Sequence, residues 1–495
     1  MMLPSWSFFR GGDASTQGLR RAKTAALLGS IFLLSSCTGE HGGDVAPSAP
    51  PNFIVVLVDD QGWNGTSVEM IPGDSLSRSD YHETPHLEAF AAEGMRFSQA
   101  YAGAPVCAPS RYSIQFAKTP ARLSLIRVGM NSDHIDHEGW WSPPRGLKSL
   151  DSNYVAAHFG KWGMGSLPEN LGYDVSDGPN QNRAGGFVNN RTQWDPVVKE
   201  DPKRIGELTD KAVDFLRAQA DAERPFYLQV SHWAVHANLE ATAERLAKYE
   251  SKAPGAQQVS PGFAAMTEDL DHGFGRLLDE LEALGLSENT YVFYMSDNGS
   301  VPNIPGAVKY ERSYNHPLSR GKWDALEGGV RVPLMVRGPG IPPNAHRTVP
   351  VSGVDLLPTI LALAGAEEGF VSEMDSIDGG SFASVLSGDE VEVHRPVDGL
   401  YFHVPYRNGI ALKRPHSAVR QGDFKLVLFQ DDGEARLYNL SEDVGEQVDL
   451  SEALPEKTEA MRANLMAYLS SVRAPRWQEG ITWKQDPLGS FNSVH

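Results

Sequence analysis

Phe53-Ile54-Val55-Val56-Leu57-Val58-Asp59-Asp60-Gln61-Gly62 is the stretch on which the reading of this chain turns. Six apolar residues in a row, most of them β-branched, have the pattern of a strand buried on both faces, not one alternating between core and solvent. The run stops abruptly at two adjacent carboxylates and a glycine. Folded structure is expected to begin at Phe53, with the Asp59-Asp60 pair at the carboxyl end of a central strand.

Similar runs follow at Tyr154 to Phe159, Phe226 to Val230, Tyr291 to Met295 and Leu334 to Val336. Amphipathic helices lie between them. Leu208, Ala212, Phe215 and Leu216 share one helical face, as do Phe263, Met266, Leu270, Phe274, Leu277 and Leu281. Thr84-Pro85 opens another helix, with Thr84 as N-cap and Gly94 just past its end. Strands alternating with helices predict an α/β fold, a mostly parallel sheet flanked by helices on both faces. After about residue 395 the pieces become short: Gly399 to Val404, Ser417 to Arg420, Phe424 to Phe429 and Ala435 to Leu440, then a helix over 454–471. This reads as a smaller C-terminal antiparallel sheet plus helix. The domains are placed at 52–395 and 396–495.

The N-terminus reads as an address. Arg20, Arg21 and Lys23 precede an apolar run from Ala25 to Leu34, too short to span a bilayer and typical of a secretory signal. It ends Leu34-Ser35-Ser36-Cys37, which resembles the bacterial lipoprotein cleavage box. That resemblance implies a signal peptide over 1–36, a lipid on Cys37 that anchors the exported chain to a membrane, and a Gly- and Pro-rich tether over 37–51. Plain secretion is the alternative. Thr38 after the cysteine leans toward the outer membrane in a Gram-negative host.

Composition excludes several classes. The 495 residues carry a net charge of −19, which argues against a general nucleic-acid binder. An anionic small substrate stays open, because a few basic residues can focus a local positive field. Two cysteines exclude a disulfide scaffold and a multi-cysteine zinc site.

In open α/β sheets ligands bind beyond the carboxyl ends of the strands. There stand Asp59 and Asp60; Ser296-Asp297-Asn298-Gly299; Ser231 and His232, with His236 further on; and Gly160-Lys161-Trp162. Three carboxylates and an amide oxygen are hard donors that suit Ca2+ or Mg2+ better than zinc. Each cluster alone also fits a solvated turn; two of them closing strands of one sheet favour the metal. Cys107 precedes a proline-started segment, Ala108-Pro109-Ser110-Arg111. It reads either as a reactive thiol at a helix N-terminus near Arg111 or as a buried structural one.

Cys107-Ala108-Pro109-Ser110-Arg111 resembles the signature of the type I sulfatases, Cys-x-Pro-Ser-Arg. Asn52 to Gly62, Gly160-Lys161-Trp162, Ser296 to Gly299, Arg320-Gly321-Lys322 with Glu327 to Pro333, Asp355 to Thr359 and Leu437 to Leu440 resemble further motifs of that family, in its order and across roughly residues 52 to 475. The resemblance implies an alkaline phosphatase-like fold and a sulfuric ester hydrolase. It implies that Cys107 is oxidised to formylglycine by a formylglycine-generating enzyme before folding, and that the hydrate is the nucleophile. Asp59, Asp60, Asp297 and Asn298, with the modified Cys107, would hold a metal, usually Ca2+ and less often Mg2+. Arg111 would orient the hydrate, Lys161 and Lys322 would grip sulfate, and His236 would act as general acid. The substrate would be a sulfated small molecule or glycan.

Two departures stand out. The family usually reads Gly-Lys-Trp-His where this chain has Gly160-Lys161-Trp162-Gly163, so a histidine near the nucleophile is missing. Another base (His158, His232 or His403) substitutes, or turnover is slow, or the chain is a pseudo-sulfatase that binds sulfated glycans. The family's Leu-Thr-Gly-Arg is replaced by Gln115-Phe116-Ala117-Lys118. A phosphate or phosphonate ester hydrolase of the same superfamily is a further alternative. Asp133, His134 and His137 read as a solvated polar loop before they read as sugar contacts, and Trp140-Trp141 as a stacking platform for a sugar or as core packing or an aromatic loop.

Overall fold

The decisive strand, β1 (Asn52–Val58), lies inside an eight-stranded sheet and is buried along its whole length. In the computed structural model the described residues are 49–304, 314–372, 374, 376–407 and 414–478. The expected signal segment, Cys37 and the expected tether up to residue 48 lie outside them. Among the described residues no helix is long and apolar enough to cross a membrane.

The other strands are β2 (Met95–Phe97), β3 (Val155–Gly160), β4 (Val175–Ser176), β5 (Phe226–Ser231), β6 (Thr290–Ser296), β7 (Leu334–Arg337) and β8 (Ala345–Arg347). Their order is β8-β2-β7-β6-β1-β5-β3-β4. Every neighbouring pair is parallel except the two made by β7. The expected strands are all present, each within a residue of its expected start and end. The short strands β2, β4 and β8 carried no periodic signal, being two or three residues long.

The continuous apolar pattern has a simple cause: both faces of the sheet are covered. Phe53, Val55 and Leu57 point into a core completed by α2 (Cys107–Phe116) and α5 (Leu356–Leu363). Ile54, Val56 and Val58 point into a second core completed by α1 (Pro85–Glu93), α3 (Ile205–Asp221) and α4 (Pro261–Ala283). Each such residue stabilises the fold by about 1.5–3 kcal/mol. The helical faces expected on α3 and α4 are the buried ones.

Thr84 precedes α1 as expected, but its hydroxyl does not cap the helix. It accepts the Ser67 N–H at 2.9 Å. The cap comes from Asp271 on α4, whose carboxylate accepts the N–H groups of His86 and Leu87 at 3.0 and 2.9 Å. Gly94 ends the helix in extended backbone, not a left-handed turn. Glycine is needed there because a Cβ would lie 2.4 Å from the Val336 carbonyl oxygen of β7.

The C-terminal part is an antiparallel sheet of β9 (Leu400–Val404), β10 (His416–Gln421), β11 (Phe424–Phe429) and β12 (Ala435–Asn439). One face packs on α6 (Pro455–Ser471) through Tyr401, Val419, Leu426 and Leu437. The other packs on Tyr101, Ala325, Leu326 and Val330 of the large body. A buried ionic joint crosses this contact. Lys425 Nζ lies 2.8 Å from Glu327 Oε1 and 2.9 Å from Glu446 Oε1, and all three side chains are buried. Glu446 Oε2 also accepts the Ser319 hydroxyl (2.5 Å) and the Glu327 N–H (2.7 Å). The segment from Ser319 to Glu327 is thus tied to the small sheet.

His416 reinforces the same contact. Its Nδ1–H donates to the Arg414 carbonyl (2.8 Å), so its bare Nε2 accepts the Ala325 N–H (2.9 Å). Burial lowers its pKa from 6.5 to about 4. The folded state therefore resists a proton that the unfolded chain takes up below 6.5. This group's contribution is intact above 6.5 and is lost as the pH falls toward 4, by up to roughly 3 kcal/mol. Urea denaturation should show stability falling over that window, and less steeply in His416→Gln.

Candidate active site

The register of two parallel strands assembles the acidic residues. Val58 of β1 is opposite Ser296 of β6, so the residues that follow, Asp59-Asp60 and Asp297-Asn298, leave the sheet side by side. The Asp297 N–H donates to Val58 O at 2.9 Å. Asp60 turns back in left-handed backbone (φ 63°), and its N–H donates to Asp297 Oδ1 at 3.3 Å. The neighbouring strands deliver the rest. After β5, His232 N–H bonds Leu57 O and Val235 N–H bonds Asp59 O, both at 2.8 Å. After β3, Lys161 N–H bonds Ser231 O at 2.7 Å.

Cys107 is the first residue of α2 and is buried. Its Sγ and carboxylate oxygens of Asp59 and Asp297 all lie within 4.8 Å of one another. Three basic side chains surround this group. Lys161 Nζ donates to Asp59 Oδ2 (2.5 Å). Arg111 reaches Asp297 Oδ2 through Nε (2.9 Å) and Nη2 (2.8 Å), and also bonds the Lys161 carbonyl. Lys322 Nζ grips both oxygens of Asp60 (2.5 and 2.7 Å). The expected residues converge: Asp59, Asp60, Cys107, Arg111, Lys161, His236, Asp297, Asn298 and Lys322 form one continuous buried set.

The donor set fits a hard divalent cation. Two buried oxygens, Asp59 Oδ1 and Asn298 Oδ1, have no hydrogen-bond partner among the described residues. The Asn298 amide nitrogen is occupied, donating to Asp60 Oδ1 (2.7 Å) and Gly299 O (2.9 Å), so its oxygen is the end left over. Buried oxygens of this kind are costly unless something coordinates them. Asp297 shows the same strain: burial and the negative charge of Asp59 push its pKa up to about 6 against the pull of Arg111. Burial opposes the charge of Asp59 too, but Lys161, His236, Arg111 and Lys322 outweigh it and hold that carboxyl below the usual range. Three carboxylates and three basic side chains balance formally. A dication would leave a positive surplus, which an anionic substrate can use.

His236 Nδ1–H donates to the Ala237 carbonyl (2.7 Å), which turns Nε2 toward Asp60 Oδ2 at 3.7 Å. Phe187 meets the ring edge-on at 4.8 Å. Burial brings its pKa down to about 4 despite Asp60 and Asp59. Sequence reasoning missed Phe187 and also Asn180, whose side chain accepts the Trp162 N–H (3.0 Å) and whose carbonyl accepts the Gly163 N–H (3.1 Å). Both lie in a stretch with no periodicity to flag them.

The substitute histidines fare differently. His158 is inside the sheet, bonded to Ser231 Oγ (3.0 Å) and packed on Trp162, and burial lowers its pKa to about 3. His403 is held at both ring nitrogens, by Ser417 Oγ (2.7 Å) and Pro475 O (2.6 Å), within the small sheet. His232 is buried, its Nδ1 has no partner among the described residues, and burial lowers its pKa to about 4. Away from the acidic residues, His134 bonds Leu123 O. His137 and Trp140 pack on Phe116, and Trp141 packs on Phe370, so these side chains serve packing. Ala117, where the resembled pattern has glycine, ends α2 in left-handed backbone (φ 53°).

Gly163 is beside the basic residues. A Cβ there would lie 2.9 Å from Arg111 Cδ and 3.7 Å from Lys161 Cε, and the backbone is left-handed (φ 75°). Installing histidine at 163 must displace Arg111, which is bound to Asp297, and strains the backbone by about 1–3 kcal/mol. Gly163→His is therefore expected to lower the melting temperature and not to raise turnover of an aryl sulfate ester. A gain in turnover at unchanged stability would show that Arg111 has room to move.

Comparisons with known proteins agree with this geometry. The sulfatase family profile matches residues 51–366, and the profile "N-sulphoglucosamine sulphohydrolase, C-terminal" matches residues 322–474. N-acetylgalactosamine-6-sulfatase of Canis lupus familiaris is 30% identical over 398 residues, covering 72% of this chain and 70% of that protein. A sulfatase of Formosa agariphila is 28% identical, covering 91% and 93%. Among solved structures, Ps i-CgsB in complex with k-i-k-neocarrahexaose superposes with a TM-score of 0.67 at 22% identity, covering 90% of this chain and 97% of that one, a likeness of fold. With the sulfatase profile covering most of the chain, the protein belongs to the sulfatase family.

Proposed function

We propose that this sulfuric ester hydrolase cleaves a sulfate monoester on a carbohydrate, with Cys107 in its formylglycine form as the reacting residue and Ca2+ held by Asp59, Asp60, Asp297 and Asn298. The observation that carries the reading is the meeting of the Cys107 side chain, Asp59 and Asp297 within 4.8 Å, enclosed by Arg111, Lys161 and Lys322. When bound, the cation supplies Lewis-acid polarisation of an ester oxygen, and the aldehyde hydrate supplies a nucleophilic hydroxyl. The carbohydrate is supported by the relative named N-acetylgalactosamine-6-sulfatase.

The chain's own residues do the rest. Lys161 stands on Asp59 and Lys322 on Asp60, and both present cations to the oxygens of an entering sulfate. Arg111 is fixed by Asp297 and the Lys161 carbonyl, so it orients the residue-107 side chain. His236 has the geometry of a general acid: Nδ1 is anchored and Nε2 faces the site. It is neutral at pH 7 until an anion enters, because only nearby negative charge offsets its burial. Burial of all these groups excludes water and strengthens each interaction.

Modification requires a formylglycine-generating enzyme to act before Cys107 is enclosed. Residues 1–37 support export and a lipid anchor at Cys37, with a periplasmic or cell-surface location. Gly163 favours a second reading, capture of sulfated glycans without turnover, because among the described residues His158 and His403 are held elsewhere and do not replace the histidine absent there.

Mass spectrometry across residue 107 and aryl sulfate turnover together test the proposal. Native-host protein should carry formylglycine, and Cys107→Ala should reduce turnover at least 10³-fold (roughly, as for loss of a nucleophile). An unmodified thiol with binding but no turnover would support the second reading. Chelation should lower the melting temperature, and Ca2+ should restore it by mass action; a melting temperature indifferent to both would count against a resident metal.

A further inference from the structure

Where the small sheet packs on α6, the structure leaves a cleft of about 770 Å3 between β11, the helix and the segment that follows it. Arg462, Met466, Leu469 and Arg473 line it at helical spacing, the last just past the end of α6. The two arginine positions are about 16 Å apart along the helix axis. Arg476 and Trp477 complete the lining. The segment that carries them is fastened to the sheet. His403 Nε2–H donates to the Pro475 carbonyl (2.6 Å), and the Trp477 N–H donates to Gln430 Oε1 (3.3 Å). The large body packs on the opposite face of the same sheet, so this cleft is separate from the site around Cys107.

Its charge is one-sided. Three arginines line the cleft and no carboxylate does. Arg462, Arg473 and Arg476 make no ion pair among the described residues. The Arg462 guanidinium reaches the turn between β11 and β12, where a Cβ on Gly433 would lie 3.8 Å from its Nη2. The acidic side chains of that turn are already engaged. Arg414 holds Asp431 (2.9 Å), Asp432 (2.7 Å) and Glu434 (2.7 Å), and Arg436 also holds Glu434 (2.6 Å). In a chain of net charge −19, this concavity is a local positive field. The Trp477 indole N–H has no acceptor among the described residues, a donor that a ligand oxygen can use. The indole and the exposed Met466 side chain supply apolar surface beside the cations.

Resting on the reading of a carbohydrate sulfate ester as substrate, we propose that this cleft is a second binding site, for a stretch of sulfated glycan chain away from the ester that reacts. Planar guanidinium groups present paired donors that match the oxygens of a sulfate group. Cations spread over the length of the helix suit several sulfates on one extended chain better than a single ion. The apolar wall suits sugar rings between them. A polymer held here keeps its remaining esters near the active site and raises their effective concentration there.

Dextran sulfate is the probe and unsulfated dextran the control, in affinity electrophoresis of the full chain. The wild type should bind dextran sulfate and not dextran. Arg462→Gln, Arg473→Gln and Arg476→Gln combined should weaken that binding about tenfold, and lysine at the same three positions should restore most of it. Equal binding by the glutamine variant overturns the proposal, as does equal binding of dextran by the wild type. If the glutamine variant melts early, the lysine variant decides: wild-type melting with binding still lost shows that charge is not what holds the chain, and overturns it. Vesicles of anionic lipid bound through the same arginines, with dextran sulfate ignored, would assign the cleft to a membrane surface and overturn it too. Aryl sulfate turnover reports separately and should be unchanged in the glutamine variant. A chain that binds dextran sulfate through these arginines yet turns over no ester defeats the hydrolase reading and leaves the cleft in place.

Discussion

The site depends on one register. Because Val58 pairs with Ser296 across two parallel strands, Asp59-Asp60 and Asp297-Asn298 emerge together, and everything around them answers the repulsion of three carboxylates. Two carboxylates a few ångströms apart repel by about 4 kcal/mol at an effective dielectric of 20. The chain meets this with Arg111 from a helix, Lys161 from a strand end and Lys322 from a loop. These cations come from parts of the sequence far apart, so the site exists only once the sheet is closed. A slip of one residue between β1 and β6 would separate the pairs and leave each cation without its partner.

Much of the fold was legible because burial on both faces leaves a coarse signature. A strand such as β1 or β6 contains nothing but apolar residues, and its end is marked by the first charge. The same logic found Asp59, Asp297, Lys161 and the C-terminal meander. It failed at β2, β4 and β8, too short to show any period. It also misassigned the cap of α1: Thr84 has the right residue type, but Asp271, nearly two hundred residues away, occupies the N–H groups. Local chemistry cannot report a cap supplied by a packed neighbour.

The site residues found from sequence were those next to a strand end or within a resembled motif. Phe187 and Asn180 were invisible because their loop is positioned by packing against Trp162, Trp233 and His236, not by its own pattern. Gly163 was noticed as a departure, but only the structure supplies the reason for its smallness. The Arg111 methylenes fill the space a side chain would need, and the left-handed backbone suits glycine.

The small sheet is more than an appendage, since Lys425 and Glu446 hold the segment that carries Lys322. A ribosome releases Cys107 roughly 300 residues before Lys425. Throughout that interval the thiol has emerged while the lysine loop still lacks its anchor. The site is therefore completed only when β11 and the Glu446 turn have been made. Placing the latch in the last fifth of the chain makes closure around Lys322 one of the last events that the order of synthesis allows.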